Sequence, residues 1–235
     1  MGNVVKVSWS GGKDSSCAVM QHIYANNTVK VVCYIPMFTY AIPLITKVHY
    51  EFILRTADRF RQMGAEVYIV TGMTYYGYVT HRSTRGKFKG RAFGFPCFRR
   101  GQCGFKRDSK LKALAVCNVG IYDYEDIGIA ADEVSRHGQL TAQKRSILCE
   151  LGITENQAKA FCREHQLLSP HYAFRKRDGC ALCPNAPASE REIWFQDYPE
   201  AVPLVIELQD FVKRERPGQT PLRNYRWFIE DNMAA

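Results

Sequence analysis

The six residues at positions 10–15 constrain this chain more than any other stretch, because they place a glycine-rich turn between a strand and a helix. They read Ser-Gly-Gly-Lys-Asp-Ser. The apolar run at 4–9 predicts a buried strand, and residues 16–20 are typical of a helix start. A glycine pair there lets the backbone turn tightly with its N–H groups outward, and the helix N-terminus adds partial positive charge. With Lys13 and two serine hydroxyls, the sequence predicts a phosphate-binding loop.

This loop is not a Walker A motif, in which four residues separate the first glycine from Gly-Lys-Ser/Thr. Gly11 and Gly12 directly precede Lys13. The hexapeptide resembles the PP-loop of the ATP pyrophosphatase, or adenine nucleotide alpha hydrolase, superfamily; an ordinary glycine turn is the alternative interpretation. The resemblance implies that the loop and the end of the preceding strand bind the phosphates of an adenine nucleotide, through Ser8, Ser10, Gly11, Gly12, Lys13, Asp14 and Ser15.

Length and composition set the class of protein. A chain of 235 residues can hold one α/β domain with a small additional subdomain. It has no apolar run near the ~20 residues that a membrane span needs. The strand and loop start close to the first residue, with no basic-then-apolar signal before them. Nine cysteines without an export signal favour a reducing compartment, so we expect a cytoplasmic protein that is not in a membrane.

Alternating strand and helix patterns predict an α/β fold with a doubly wound, mostly parallel sheet. A helical, metal-anchored C-terminal part completes the predicted fold. We expect a nucleotide-binding α/β domain at 1–140, with a lid at 71–112, and a helical region at 141–235. The predicted strands are 4–9, 29–34, 66–70 and 126–130; the predicted helices are 14–25, 43–63, 106–116, 154–165 and 203–216; and 71–94 is interpreted as an irregular loop.

Positive charge is concentrated in one segment, residues 82–112. It contains eleven Lys or Arg residues and one acid, Asp108, and so carries +10, while the whole chain carries +9. Such a segment attracts polyanions, and its interleaved phenylalanines can stack on bases. We therefore expect either a nucleic-acid or protein acceptor on this segment, or a lid whose cations hold only the phosphates of a nucleotide.

The nine cysteines fall into two groups. Five lie in apolar contexts and are expected to be buried: Cys17, Cys33, Cys117, Cys149 and Cys162. The other four form two pairs, one in a basic, glycine-rich stretch and one in a C-x-x-C knuckle. Two such pairs suit a tetrahedral Zn²⁺ ion or a [4Fe–4S] cluster. The expected ligands are Cys97, Cys103, Cys180 and Cys183.

At this point the resemblance extends over roughly residues 4–200, to the phosphoadenosine phosphosulfate (PAPS) reductase family. Its cluster-bearing members carry a cysteine pair, some eighty residues and then C-x-x-C; here 76 residues separate Cys103 from Cys180. Residues 127–136 are similar to the family's segment at the sulfonucleotide site, and a lysine follows the first cysteine pair. The resemblance implies a HUP-like nucleotide-binding fold, prefers [4Fe–4S] over zinc, and adds Lys106, Gly128, Asp132, Glu133 and Arg136 to the site.

The resemblance also implies roles. Lys13 and Lys106 are expected to stabilise charge on the α-phosphate. Arg136 is expected to hold a phosphate or sulfate, with a surface salt bridge as the alternative. Asp14 is a candidate ligand of Mg²⁺ through water, or simply an acid that complements the helix dipole. Asp132 and Glu133 are expected to position metal or ribose, with helix capping as the alternative.

The family's reductases carry a catalytic cysteine in a Glu-Cys-Gly-x-His segment, whereas no cysteine follows Cys183 here. A sister branch without that cysteine adenylates an acceptor with ATP, releases pyrophosphate and lets sulfur displace AMP. We therefore expect an enzyme of sulfur transfer that cleaves ATP at the α-phosphate, with a sulfur donor as partner. The alternatives are a PAPS or APS reductase, an oxidoreductase whose thiols come from a reductase partner, and a nucleic-acid-binding module that senses nucleotide. The sequence leaves oligomerisation open.

Overall fold

The computed structural model describes residues 2–96, 98–99, 102–175, 179–183 and 186–218. The chain divides into two compact units. Each is assembled from three separate stretches, whereas the sequence predicts two consecutive regions that meet at residue 140. Unit 1 comprises Met1–Ile35, Val48–Val70 and Val116–Asp178, and unit 2 comprises Pro36–Lys47, Thr71–Ala115 and Gly179–Ala235.

Unit 1 is built on a parallel five-stranded sheet. From one edge to the other, its strands are β3 Glu66–Val70, β2 Thr28–Tyr34, β1 Val4–Trp9, β6 Tyr124–Ile127 and β7 Lys144–Arg145. The buried face of β1 is apolar because Val5, Val7 and Trp9 alternate along it. The predicted α/β fold with a mostly parallel sheet is confirmed. The other two strands, β4 Phe98–Arg99 and β5 Gln102–Cys103, form a two-stranded antiparallel ladder in unit 2.

Helices connect and cover these strands. The predicted helix at 154–165 is confirmed and begins with a capping box: Thr154 accepts the backbone N–H of Gln157, whose side chain accepts the N–H of Thr154. Within the described residues, no helix combines the length and apolar character needed to cross a bilayer. The α-helices are α1 Lys13–Tyr24, α2 Lys47–Gln62, α3 Tyr75–Thr80, α4 Lys112–Val116, α5 Ile147–Glu150, α6 Glu155–Glu164, α7 Ala188–Asp197 and α8 Ala201–Glu215, and a π-helical segment, Lys106–Leu111, runs into α4.

The predicted helix 43–63 begins four residues later than expected. Residues before Lys47 instead form a tight loop, in which Phe38 N–H donates to Ile42 O and Leu44 N–H donates to Pro36 O. Phe38 and Leu44 are fully buried, so tertiary packing outweighs the helical pattern there.

The fourth predicted strand, 126–130, is also displaced. β6 ends at Ile127, because the chain leaves the sheet at Gly128. Ile129 and Ala130 are apolar since they are buried beyond the strand, and they are not paired in it.

The interpretation of 71–94 as an irregular loop is wrong for α3. Thr74 caps this helix by accepting the N–H of Gly77, and Tyr75 and Tyr78 are buried in the core of unit 2. Aromatic residues and a glycine give α3 low helix propensity, so the sequence alone does not signal it. Burial of the tyrosines stabilises the helix instead.

The core of unit 2 centres on Trp194 of α7, which is fully buried. Its indole Nε1 donates to Pro43 O at 2.9 Å, and its ring meets Phe38 edge-on at 5.3 Å. Val205 and Leu208 of α8 belong to the same cluster. Residues 36–46 and the C-terminal helices are therefore held together by a shared aromatic core.

The Thr154→Ala variant tests the capping box. We expect its free energy of unfolding in urea to fall by about 1 kcal/mol, because the first turn of α6 loses the acceptor for one of its orphan N–H groups. Asn156→Ala is the matched control, because Asn156 is exposed and lies two residues further along the chain. It should change stability little. Equal stability of the wild type and Thr154→Ala would contradict the assignment of the cap.

Candidate phosphate-binding site

The loop 10–12 leaves the sheet at the carboxyl end of β1, beside the carboxyl end of β6. The two strands are parallel neighbours, with Ser8 opposite Ile127. The strand order reverses at this point, since β2 and β3 follow on one side of β1 and β6 and β7 on the other. In open α/β sheets such a switch point is where ligands bind, outside the carboxyl ends of the strands.

Hydroxyl groups fix the shape of the loop. Ser15 Oγ donates to Gly12 O at 3.1 Å and accepts the N–H of Ser10, while Gly12 N–H donates to Ser10 Oγ. Gly11 has φ +77°, and a β-carbon there would lie 2.7 Å from Ile53 Cγ1. Position 11 therefore requires glycine for both conformation and space.

The first turn of α1 presents backbone donors. Lys13 N–H donates to the hydroxyl of Tyr172 at 3.1 Å, a contact that the sequence did not indicate. The N–H groups of Asp14 and Ser15 belong to the same first turn, where no intrahelical acceptor exists. Together with the helix dipole they form a ready anion site.

The ammonium group of Lys13 lies between two carboxylates. Its Nζ is 2.7 Å from Asp14 Oδ2 and 2.7 Å from Glu155 Oε1. Burial opposes the charge, but the hydrogen bonds of the two carboxylates prevail and raise the pKa of Lys13. For Asp14, in contrast, burial raises the pKa by more than the neighbouring Lys13 lowers it. Lys13 is therefore a fixed cation at neutral pH, and the ion pair does not fully offset the burial of Asp14.

Gly128 brings the end of β6 against the loop. A β-carbon at this position would lie 2.7 Å from both N and Cα of Ser15. The backbone at 128 and the first turn of α1 therefore pack without an intervening side chain. This close approach places the predicted Gly128 beside the predicted loop; it is not evidence of a bound ligand.

Of the other predicted residues of unit 1, Asp132 is linked to the loop through Glu155, the partner of Lys13. Asp132 accepts the N–H of Glu155 at 2.9 Å, and so acts at the start of α6 in the capping role considered for it. Glu133 accepts the N–H of Ala130 and pairs with Arg136 through both carboxylate oxygens, at 2.8 and 2.9 Å. Ser8 differs in its contact, because its Oγ donates to Glu125 at 2.6 Å.

A buried histidine pair beneath the loop was not predicted. His171 Nδ1 lies 2.9 Å from His49 Nδ1, and both nitrogens are within 2.9 Å of Ser169 Oγ. A β-carbon at Gly11 would lie 2.9 Å from His49 Cε1, and the His171 ring packs on Tyr172 at 4.2 Å. This cluster therefore supports the loop on one side and the acceptor of Lys13 N–H on the other. His49 is 120 residues from Ser169 and 122 from His171 in sequence, and no motif links them.

Two buried thiols lie near the loop. Cys162 Sγ donates to Lys13 O at 3.0 Å, and Cys17 lies within α1. Burial raises the pKa of Cys17 to about 11 and raises that of Cys162 further. Burial of Cys17, Cys33 and Cys162 is confirmed. The same expectation is wrong for two residues that are only half-buried, Cys117 and Cys149.

Lys106 and the predicted metal ligands belong to unit 2. Lys106 is exposed at the start of the π-helical segment. Cys103 and Cys180 both pack against the hydrophobic core of this unit, and Cys183 N–H donates to Cys180 O at 3.0 Å. Cys97 lies outside the described residues. Among the residues that are described, no three Cys, His, Asp or Glu side chains are grouped as a metal site would need, so the metal centre stays a prediction.

No family model matches the chain, and no curated protein matches it. The resemblance to the PAPS reductase family therefore depends on the motifs alone.

The Gly128→Ala variant tests the close approach at the switch point. We expect at least about tenfold weaker ATP binding by calorimetry, because the β-carbon must displace the backbone of Ser15. Gly138→Ala is the matched control, since a β-carbon there meets nothing within 4 Å. A loss of stability in Gly128→Ala would show that the backbone of Ser15 has been displaced. If ATP affinity is nevertheless unchanged, the nucleotide binds elsewhere.

The metal prediction is tested on protein purified without oxygen. We expect iron, or alternatively zinc, bound in the wild type, and less metal together with lower stability in Cys183→Ser, because metal ligation and folding are coupled. Cys117→Ser, outside the predicted set, should keep its metal. Wild-type protein with neither metal above background, by elemental analysis and absorption spectrum, would contradict the prediction.

Proposed function

We propose that the loop 10–15 binds the phosphates of ATP and that the protein cleaves ATP between its α- and β-phosphates to activate an acceptor for sulfur transfer. The observation that carries this proposal is the packing of Gly128 against the first turn of α1, at the reversal of strand order. It supports an anion site where α/β sheets bind nucleotides. The loop motif supplies the nucleotide class and the reaction, and the strand order is compatible with a HUP-like fold.

The chemistry assigns work to few groups. An acceptor oxygen attacks the α-phosphorus, the bond to the bridging oxygen of the β-phosphate breaks, and pyrophosphate leaves; a sulfur nucleophile then displaces AMP from the acceptor. Lys13 stabilises the charge that develops on the phosphate oxygens. The amides of Asp14 and Ser15 hold the phosphates in place, and the Asp14 carboxylate would hold a Mg²⁺ ion that neutralises phosphate charge.

The thiols near the loop favour this reaction over direct reduction. Cys17 and Cys162 have raised pKa values and stay protonated at neutral pH, so neither is a ready nucleophile. Sulfonucleotide reduction would need a thiolate from elsewhere. We place the reaction in the cytoplasm, where nine cysteines remain reduced.

Binding of ATP and of its α,β-methylene analogue, which cannot be cleaved there, separates recognition from chemistry. We expect Lys13→Met to weaken both by about 10- to 100-fold, the loss of a charge-assisted contact. Glu155→Gln is the control, because it removes a competing partner of Lys13 while leaving the loop intact. It should bind ATP as well as the wild type or more tightly.

Product analysis identifies the reaction. Incubated with Mg²⁺-ATP, a sulfide donor and bulk cellular RNA, DNA or protein in turn, the wild type should release pyrophosphate and AMP with one of these acceptors, and Lys13→Met should not. Release of ADP and phosphate would contradict cleavage at the α-phosphate. Release of sulfite from PAPS, without pyrophosphate from ATP, would replace the proposal by reduction, and tight ATP binding without any turnover would replace it by sensing.

A further inference from the structure

Residues 81–93 of unit 2 form a hairpin, here called the basic hairpin. Phe93 N–H donates to His81 O, Ser83 N–H to Arg91 O and Gly90 N–H to Ser83 O, between 2.7 and 2.9 Å. A short 3₁₀ turn, Gly86–Phe88, closes the tip. These backbone hydrogen bonds fix the conformation of the turn from which the side chains of the tip project.

The base of the hairpin is anchored to unit 2. Arg216 Nη1 donates to the carbonyls of Ala92 and Phe93, and the Phe93 ring packs edge-on against Tyr78 at 5.2 Å. Arg82 donates to Gly90 O and pairs with Glu215 at 2.7 Å. Arg82 therefore serves the hairpin itself and has an acid partner.

The tip is different in charge. Residues 84–91 are all exposed and carry Arg85, Lys87, Lys89 and Arg91 without an acid. In the part of the chain that the structure describes, no carboxylate pairs with any of these four side chains. Elsewhere in the basic segment, by contrast, Arg107 and Lys112 share the carboxylate of Asp108. Four cations without a carboxylate partner among the described residues are thus grouped on one exposed turn.

An aromatic ring lies among these charges. Phe88 is 45% exposed, with Lys87 Nζ 5.1 Å and Arg91 Cζ 5.8 Å from the centre of its ring. An exposed phenylalanine flanked by cations combines the two elements by which proteins bind single-stranded nucleic acids, namely a base-stacking surface and phosphate contacts. The three phosphates of a free ATP are fewer than the four cations of the tip, and an anionic membrane surface offers charge to the cations but no base to the ring.

We propose that the basic hairpin binds a single-stranded nucleic acid, with Phe88 stacking on a base and Arg85, Lys87, Lys89 and Arg91 contacting its backbone. Its residues belong to unit 2, whereas the loop 10–15 belongs to unit 1. The binding does not depend on ATP cleavage, and it is tested without ATP.

The test measures binding of a fluorescein-labelled dT20 strand by anisotropy over a range of salt concentrations. The triple variant Lys87→Ala, Lys89→Ala, Arg91→Ala should lower the slope of log affinity against log salt by about 2, since each lost phosphate contact on a single strand contributes about 0.7. The matched control removes three exposed positive charges from unit 1, by Arg55→Ala, Lys144→Ala and Arg163→Ala. It should keep most of the wild-type slope.

Phe88→Ala separates stacking from charge. We expect about five- to tenfold weaker binding of dT20 with an unchanged salt slope, because stacking of one base is lost while the phosphate contacts remain. Circular dichroism and the urea midpoint of each variant confirm folding. No binding of dT20 by the wild type, or equal loss in the triple variant and its charge-matched control, would overturn the proposal. So would binding only to vesicles containing phosphatidylserine, or a triple variant that loses ATP affinity and nothing else.

Discussion

The contact between the backbone of Gly128 and the first turn of α1 is the constraint on which the candidate site depends. It allows β6 to lie directly beside β1 while the loop after β1 turns into the helix. A side chain at 128 would push the strand end away from Ser15, and the first-turn amides would no longer open towards the edge of the sheet. Gly11 imposes a matching condition on the opposite side, where His49 and Ile53 leave no space for a β-carbon. The loop is thus held by close packing from two directions, and its hydroxyl hydrogen bonds then fix its detail.

Electrostatics adds a second condition to phosphate binding. Lys13 is 13% exposed and already has two carboxylate partners, so a phosphate must compete with Asp14 and Glu155 for the same ammonium group. Glu155 is the more easily displaced, because it is half exposed and water can replace its contact at little cost. Asp14 is more buried, and its raised pKa indicates that a second cation near it would be favourable. The metal-bound nucleotide proposed above would satisfy both requirements, since it would bring an anion to Lys13 and a cation to Asp14 together.

How much the sequence predicts depends on the range of the interactions involved. β1 and β3 have the predicted limits and the capping box of α6 is present, because alternating apolar residues and Thr-x-x-Gln are local signals. The loop was predicted for the same reason. Tyr172, Glu155 and the histidines beneath Gly11 were not, since they reach the loop only through folding and no spacing marks them. The capping box marks the start of α6, and Glu155 is the first residue of that helix. The position of Glu155 on the helix was therefore predictable, but its contact with Lys13 was not. α3 was missed because its stability comes from the burial of two tyrosines and not from its own propensity.

The basic segment illustrates why net charge in a sequence does not by itself define a surface. Counted along the chain, residues 82–112 contain eleven cations and a single acid. In the structure, Asp108 compensates two of the cations and Glu215, far away in sequence, compensates Arg82. The glycines at 86 and 90, both with positive φ, shape the turn that carries four of the other cations. The long-range pairs therefore hold the hairpin in place while the local turn leaves its tip uncompensated. Positive charge with a structural role and positive charge available to a polyanion are adjacent in sequence, and only the fold distinguishes them.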